Sequence, residues 1–293
     1  MIMPIAPTIK KNYLHKLAEQ QKRADGRRFE EYRPVIIETG VINKAEGSAR
    51  VKIGNTQVVA GIKMDIGEPY PDTPDSGVMT TAAELIPLAS PDFEAGPPRG
   101  DAIELARVVD RGIRESNAIE LEKLCLSPGE KIWIVFIDIH IIDYDGNLFD
   151  AASLAALAAL YDSRIPINRL SEEDQQSVKN KLEEFGVKPI EETVYDKAGN
   201  EQKTLSYFLP MREPPISCTF AKFNNAVVVD PSLDEEEIAE ARLTVATDSK
   251  GAIRAMQKGL NGSFTADEIK KIIKDSLVTG NALRTQLNES TSR

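Results

Sequence analysis

The 293-residue chain is 41% hydrophobic and 28% charged, enough apolar material for a substantial core and a length that suits one large domain or two similar halves. Its 36 Lys plus Arg against 46 Asp plus Glu give a net charge of −10. That excludes coating nucleic acid by overall charge, so any contact with phosphate chains must use a local basic face.

Cys125 and Cys218 lie far apart and fit neither a disulfide framework nor paired metal-ligand spacing. A reducing, cytoplasmic setting is expected, with no metal and no cofactor. The opening MIMPIAPTIKKNYLHKLAEQQKR has Pro4 and Pro7 in its short apolar run and turns charged at once, so it does not read as a secretory signal. No later run approaches membrane-spanning length. Within an N-terminal arm, 1–22, residues 8–22 are expected to form a short amphipathic helix with Ile9, Tyr13, Leu14 and Leu17 on one face. From RPVIIETGVI through GSARVKIGNTQVVAGIKM, β-branched residues alternate with polar ones between glycine turns, the signal for antiparallel strands.

A loop, GEPYPDTPDSG, a strand, TTAAELIPLA, and a second loop, SPDFEAGPPRG, lead to a helix from about Asp101 to Lys123. KIWIVFIDIHIID alternates too little for a half-exposed strand and is expected to be central and buried on both faces. His140 inside it reads as a structural histidine. IDYDGNLFDAASLAALAAL reads as a strand end, a turn, and a helix opening at Asp150, which closes the first half near Pro166. SEEDQQSVKNKLEEFGVKP is a polar helical connector. Strands follow in ISCTFAKFNNAVVVDP and ARLTVATDSKGAIRAMQKG, separated by the acidic run 234–240, a helix start with its favoured charges. The last helix is TADEIKKIIKDSLVTGNALRTQL, and the terminal NESTSR is expected to fray. Strands followed by helices, twice over, predict an α+β fold: a first half with its connector at 23–190 and a second half at 191–293.

Two stretches carry chemistry. In the helix from Asp101, spacing puts Ala102, Leu105, Ala106, Val109 and Ile113 on one face and Arg107, Arg111 and Arg114 on the other. Guanidinium forks suit phosphate oxygens, but the same face also reads as a solvated one, with Asp110 paired to Arg114 and Arg111 to Glu115. The turn Gly146, Asn147, Leu148, Phe149, Asp150 feeds a helix N-terminus, a common way to cradle an anion. Yet it offers no Arg or Lys, and Asp150 reads equally as a plain N-cap.

In that order, RADGRRFEEYRP, GSARVKIGNTQVVAGIK, AIELARVVDRGIRES and DYDGNLFDAASLAALAAL resemble the ribonuclease PH family over nearly the whole chain. The resemblance implies an RNase PH-like (ribosomal protein S5 domain 2-like) fold of two similar halves, mixed sheets packed with helices. Within the family, ELARVVDRGIRES, the N-terminal arm and VVVDPSLDEEE look most like the non-catalytic subunit of the archaeal exosome core. Such a subunit implies a hexameric ring, a trimer of heterodimers with a catalytic RNase PH-like homologue, which takes single-stranded RNA through a central channel beneath RNA-binding cap subunits.

Active members degrade RNA 3′ to 5′ by phosphorolysis, and their turn reads Asp, Gly, Gly, Thr, Arg, Thr, Ala, with Thr and Arg holding the attacking phosphate. Here Phe149 stands at the arginine's place and Asp150 sets a carboxylate on the helix start. The family's general acid falls near Ala241. The resemblance thus implies an inactive subunit that grips RNA through Arg107 and Arg111, with Arg114 beside them. An active phosphate-dependent exoribonuclease with an atypical loop and a plain scaffold are the alternatives.

Overall fold

The computed structural model describes residues 8–195 and 201–291; residues 1–7 of the arm, and the last two of NESTSR, lie outside the described residues. After α1 (Thr8–Glu19), strands β1 (Val35–Thr39), β2 (Gly47–Ile53) and β3 (Thr56–Gly67) run antiparallel. Then come β4 (Val78–Leu85), α2 (Gly100–Glu115) and β5 (Cys125–Ser127). β6 (Lys131–Asp143) inserts antiparallel to β3 and parallel to β4, giving a mixed sheet ordered β1-β2-β3-β6-β4 with β5 also on β6. α3 (Leu148–Asp162) leads to β7 (Arg164–Ile165), α4 (Glu172–Glu184) and a hairpin of β8 (Pro189–Tyr195) and β9 (Glu201–Phe208), which forms a small sheet with β7. A second main sheet, β11-β10-β12-β13, is built from β10 (Ile216–Phe223), β11 (Ala226–Val229), β12 (Ala241–Thr247) and β13 (Ile253–Gly259). α5 (Leu233–Ile238) lies between β11 and β12 in sequence, and α6 (Ala266–Thr291) closes the chain.

The two main sheets enclose a helical layer. α3 touches β2 and β3 on one side and β10 on the other, α2 reaches β4 and β13, and α6 reaches β10, β12 and β1. This placement explains why α3 is apolar all round: every residue from Leu148 to Leu160 is buried. Its alanines keep the helix thin where the sheets press close. Gly47 of β2 lies so near Ser163 and the Ala159 carbonyl that no Cβ fits there.

Because the helices cover only one face of the first sheet, β6 alternates between buried and half-exposed residues, against the expectation of burial on both faces. Ile134, Phe136, Asp138 and His140 lie on the open face. His140 is therefore not enclosed, and its Nδ1 stands 3.4 Å from Glu84 on the parallel neighbour β4.

α2 stops at Glu115, and a 3₁₀ turn at Leu121–Leu124 replaces the rest of the longer helix expected from Asp101 to Lys123. Asn117, at a φ of 52°, ends the helical path between them. α1 is shorter than 8–22 and docks by Leu14 and Ala18 against Phe223, Ala226, Val228 and Ile238. Of its expected apolar face, Leu17 is half-buried while Ile9 and Tyr13 are 84% and 56% exposed. The contact is one i, i+4 edge rather than a broad stripe.

NESTSR does not fray through its described part, since α6 continues to Thr291. Hydroxyls there return to the backbone, Ser290 to Gln286 and Thr291 to Leu287. The β8–β9 hairpin had no sequence signal, because polar residues run consecutively in PIEETVY and EQKTLSYF instead of alternating with apolar ones. Among the described residues no helix is long and apolar enough to cross a membrane.

Candidate functional site

Beyond β6 the chain turns through Tyr144, Asp145 and Gly146 into α3. Gly146 has a φ of +90°, and a Cβ on it would lie 2.5 Å from the Pro231 oxygen and the Leu233 nitrogen, so glycine alone fits. Asn147 follows at a φ of 57° as the N-cap, with no side-chain cap hydrogen bond, and the helix opens at Leu148 instead of Asp150.

Asp150 is therefore not a cap. Its carboxylate turns aside to accept from the Tyr32 hydroxyl (2.5 Å), the Asn147 amide (2.8 Å), and the Thr219 backbone N–H (2.9 Å) and hydroxyl (2.7 Å). Burial pushes its pKa up to about 6, against the lowering effect of the bonds from Tyr32, Asn147 and Thr219. The reason is topological: β10 crosses the start of α3, so Thr219 competes successfully for the carboxylate.

Another carboxylate takes the helix N-terminus. Glu236 of α5 accepts from the Asn147 backbone N–H (3.0 Å) on one oxygen and from the Tyr144 hydroxyl (2.7 Å) on the other. Burial raises its pKa, opposed by those two bonds. Buried Phe149 lies beneath the Arg242 guanidinium, 4.0 Å from ring centroid to the guanidinium carbon, and Glu104 of α2 holds that guanidinium from its edge.

Only about 20 Å³ remains among these groups, room for about one water and far too little for a phosphate. Along β12, Ala241 and Arg242 point to opposite faces. The side chain that reaches the turn is Arg242, one place beyond the Ala241 inferred from sequence, and it brings a cation where the family's acid was sought.

Sequence reading also missed the clasp behind the turn. Asp230, fully buried at a φ of 46°, accepts from Arg27 (2.8 Å), from the Arg33 backbone N–H and guanidinium (2.8 to 2.9 Å) and from the Asn147 amide (2.8 Å). Burial works to raise its pKa, but Arg33 and Asn147 outweigh it and hold the carboxyl below its ordinary value. Arg33 also donates to the Asp145 and Gly146 carbonyls (2.5 and 3.1 Å), fixing the turn itself. Arg23 forks onto Glu235 of α5 (2.9 and 2.6 Å). RADGRRFEEYRP is thus the strap that ties the first sheet's edge to the second sheet; its arginine-rich spelling was the available signal.

On α2, Ala102, Leu105, Ala106, Val109 and Ile113 are buried and Arg107, Arg111 and Arg114 are exposed, as the spacing predicts. The three arginines differ in their engagements. Arg114 forks onto Asp110 (2.9 Å twice) and donates to the Met79 carbonyl (3.0 Å). Arg111 donates to Gln257 of β13 (3.0 Å) rather than pairing with Glu115. Arg107 has no hydrogen bond or ion pair among the described residues. The arginine face and the turn are separate places on the molecule, joined through Glu104 and Arg242. Both cysteines are buried and unpaired, and no group of three or more His, Cys, Asp or Glu among the described residues is arranged to hold a metal.

Residues 31–166 match the 3′ exoribonuclease family, domain 1, and residues 213–277 match its domain 2. The chain is 52% identical over 279 residues to the exosome complex component Rrp42 of Methanocella arvoryzae, covering 95% of each. It is 50% identical over 274 residues to the component of the same name from Thermococcus gammatolerans, covering 94% of this chain and 92% of the relative. A chain of the Archaeoglobus fulgidus exosome with RNA bound to the active site superimposes with a TM-score of 0.80 at 44% identity, covering 95% of this chain and 98% of that one. Rice Rrp46, 14% identical with a TM-score of 0.61, shares the fold. Two domain matches in the expected order, relatives alike from end to end and the sheet–helix–sheet architecture agree: the chain belongs to the ribonuclease PH family of 3′ exoribonucleases.

Proposed function

We propose that this chain is a non-catalytic subunit of an exosome-like hexameric ring for 3′-to-5′ RNA degradation and processing. It pairs with a catalytic RNase PH-like homologue in a trimer of heterodimers under RNA-binding cap subunits, and it grips single-stranded RNA. Relatives named as exosome components over nearly their whole length support the assembly.

The observation that carries the inactive reading is the filled turn. Phosphorolysis needs an inorganic phosphate positioned at the start of α3 and an acid to protonate the leaving 3′ oxygen. Glu236 already bonds the Asn147 N–H, and Phe149 with Arg242 closes the space beside it. Anion and acid both lack a seat.

RNA gripping rests on Arg107 and Arg111, whose guanidinium groups form no ion pair among the described residues; Arg114, already forked onto Asp110, is the lesser contact. Contacts of this kind go to phosphate and tolerate any sequence. The test is RNA affinity across a salt series for assembled rings of wild type and Arg107→Ala with Arg111→Ala. Each lost single-strand phosphate contact lowers the slope of log affinity against log salt by about 0.7, so the double variant is expected to lose about 1.4 per engaged subunit. An unchanged slope would leave these arginines as a solvated helix face.

A further inference from the structure

Beside the filled turn lies a larger cleft of about 540 Å³, between the loop that follows β4 and the helix α5. Its size is that of a pocket taking a small ligand or the side chains of a docked segment. Leu85, Ile86 and Leu233 form part of an apolar floor, with Phe93 stacked on Tyr144 at 5.3 Å between ring centroids. Among the described residues, Glu84, Asp92, Glu94, Asp101, Glu236 and Glu237 stand around them against one lining cation, Arg99, a formal excess of five negative charges. Arg99 is itself spent on Glu94, whereas the Asp92 carboxylate has no hydrogen bond or ion pair among the described residues.

A phosphate chain is repelled by such a rim. A bare divalent cation does not need an apolar floor, and these carboxylates do not converge as metal ligands do among the described residues. What matches both halves of the cleft is a cation with an apolar body that can lie on an aromatic face: a guanidinium flanked by aliphatic side chains.

We propose that this cleft docks an arginine-bearing apolar segment of a protein partner, seating the guanidinium between the Phe93–Tyr144 stack and Asp92. The cleft uses none of the α2 arginines, so the proposal stands apart from the RNA-gripping role.

The probe is a fluorescein-labelled peptide, Gly-Leu-Arg-Leu-Arg-Gly, titrated by anisotropy into the full chain, with the Glu-for-Arg peptide and an oligo(A) strand as competitors. Wild type is expected to bind the arginine peptide and to ignore both competitors. Asp92→Lys is expected to weaken binding by about tenfold or more by reversing the charge beneath the guanidinium. Phe93→Ala is expected to weaken it through loss of the stacking surface. Asp92 is exposed and its side chain bonds nothing among the described residues, so thermal melting of Asp92→Lys serves as the folding control.

Arg107→Ala with Arg111→Ala should leave peptide binding unchanged while altering the RNA salt slope, which separates failure of this proposal from failure of the functional one. Absence of peptide binding, binding indifferent to both Asp92→Lys and Phe93→Ala, or displacement of the peptide by oligo(A) would overturn it.

Discussion

Asp150 and Phe149 sit one residue apart and serve different structures, one the strap to β10 and the other the stack under Arg242. Asp150→Ala would leave the Tyr32, Asn147 and Thr219 donors without their buried acceptor, and chemical denaturation is expected to show a loss of about 3 kcal/mol or more. The pH dependence has a definite sign. A carboxyl whose pKa is about 6 when folded and near its ordinary value when unfolded binds its proton more tightly in the native state. Its favourable contribution is complete below about pH 4 and is lost as pH rises toward 6. The stability of wild type relative to Asp150→Asn is therefore expected to fall across that window; a difference that is flat or rises there would contradict the buried, proton-retaining carboxyl.

Phe149→Arg alone is expected to restore no phosphorolysis to the isolated chain, because Glu236 still holds the helix N-terminus and Arg242 repels the new guanidinium. Sequence spacing showed an acid at a helix start, but a cap and a cross-strap differ only in which donor lies nearby. Thr219 is 69 positions away. The shift from Ala241 to Arg242 has the same origin, since which neighbour faces the turn is set by the pairing of β12 with β10.

For whole elements, the apolar stripe of α2 was legible at Ala102, Leu105, Ala106, Val109 and Ile113, because its 3.6-residue period depends on local spacing alone, while Val108 and Gly112 are buried beside it without having been named. What each exposed arginine does was not legible, since Gln257 and Met79 come from distant strands. Arg114→Ala is accordingly expected to cost about 0.5 kcal/mol of stability through the lost i, i+4 pair, with little change in the RNA salt slope, the inverse of the Arg107 and Arg111 pattern.

The strap RADGRRFEEYRP makes a stronger statement. Arg23 and Glu235 are a buried pair with side-chain exposures of 0% and 3%. Arg23→Ala strands a carboxylate in the interior and is expected to destabilise by about 3–5 kcal/mol, measurable by denaturant titration. β6 was misread for a physical reason: Ile134, Phe136 and Ile142 make its open face as apolar as many buried ones, and the sequence carries no mark of which face the helices cover.

Across the whole molecule, two similar α+β halves were anticipated from strands followed by helices in each half, while their arrangement as two main sheets around a helical layer and the β7-β9-β8 sheet were not. The open face of the first sheet, with the exposed Ile9 and Tyr13 of α1, leaves apolar surface of the kind that subunit contacts cover. Mixed with the catalytic homologue, the chain is expected to enter a heteromeric ring in sizing with light scattering; a monodisperse monomer that ignores that homologue would oppose the assembly. The central claim is that this subunit supplies grip and architecture but no chemistry. It is tested most directly by incubating RNA and inorganic phosphate with the purified chain alone, with the catalytic homologue alone and with the assembled ring, and measuring released nucleoside diphosphate. Release by the ring and none by this chain alone is the expected result; phosphate-dependent release of nucleoside diphosphates by this chain alone would contradict it.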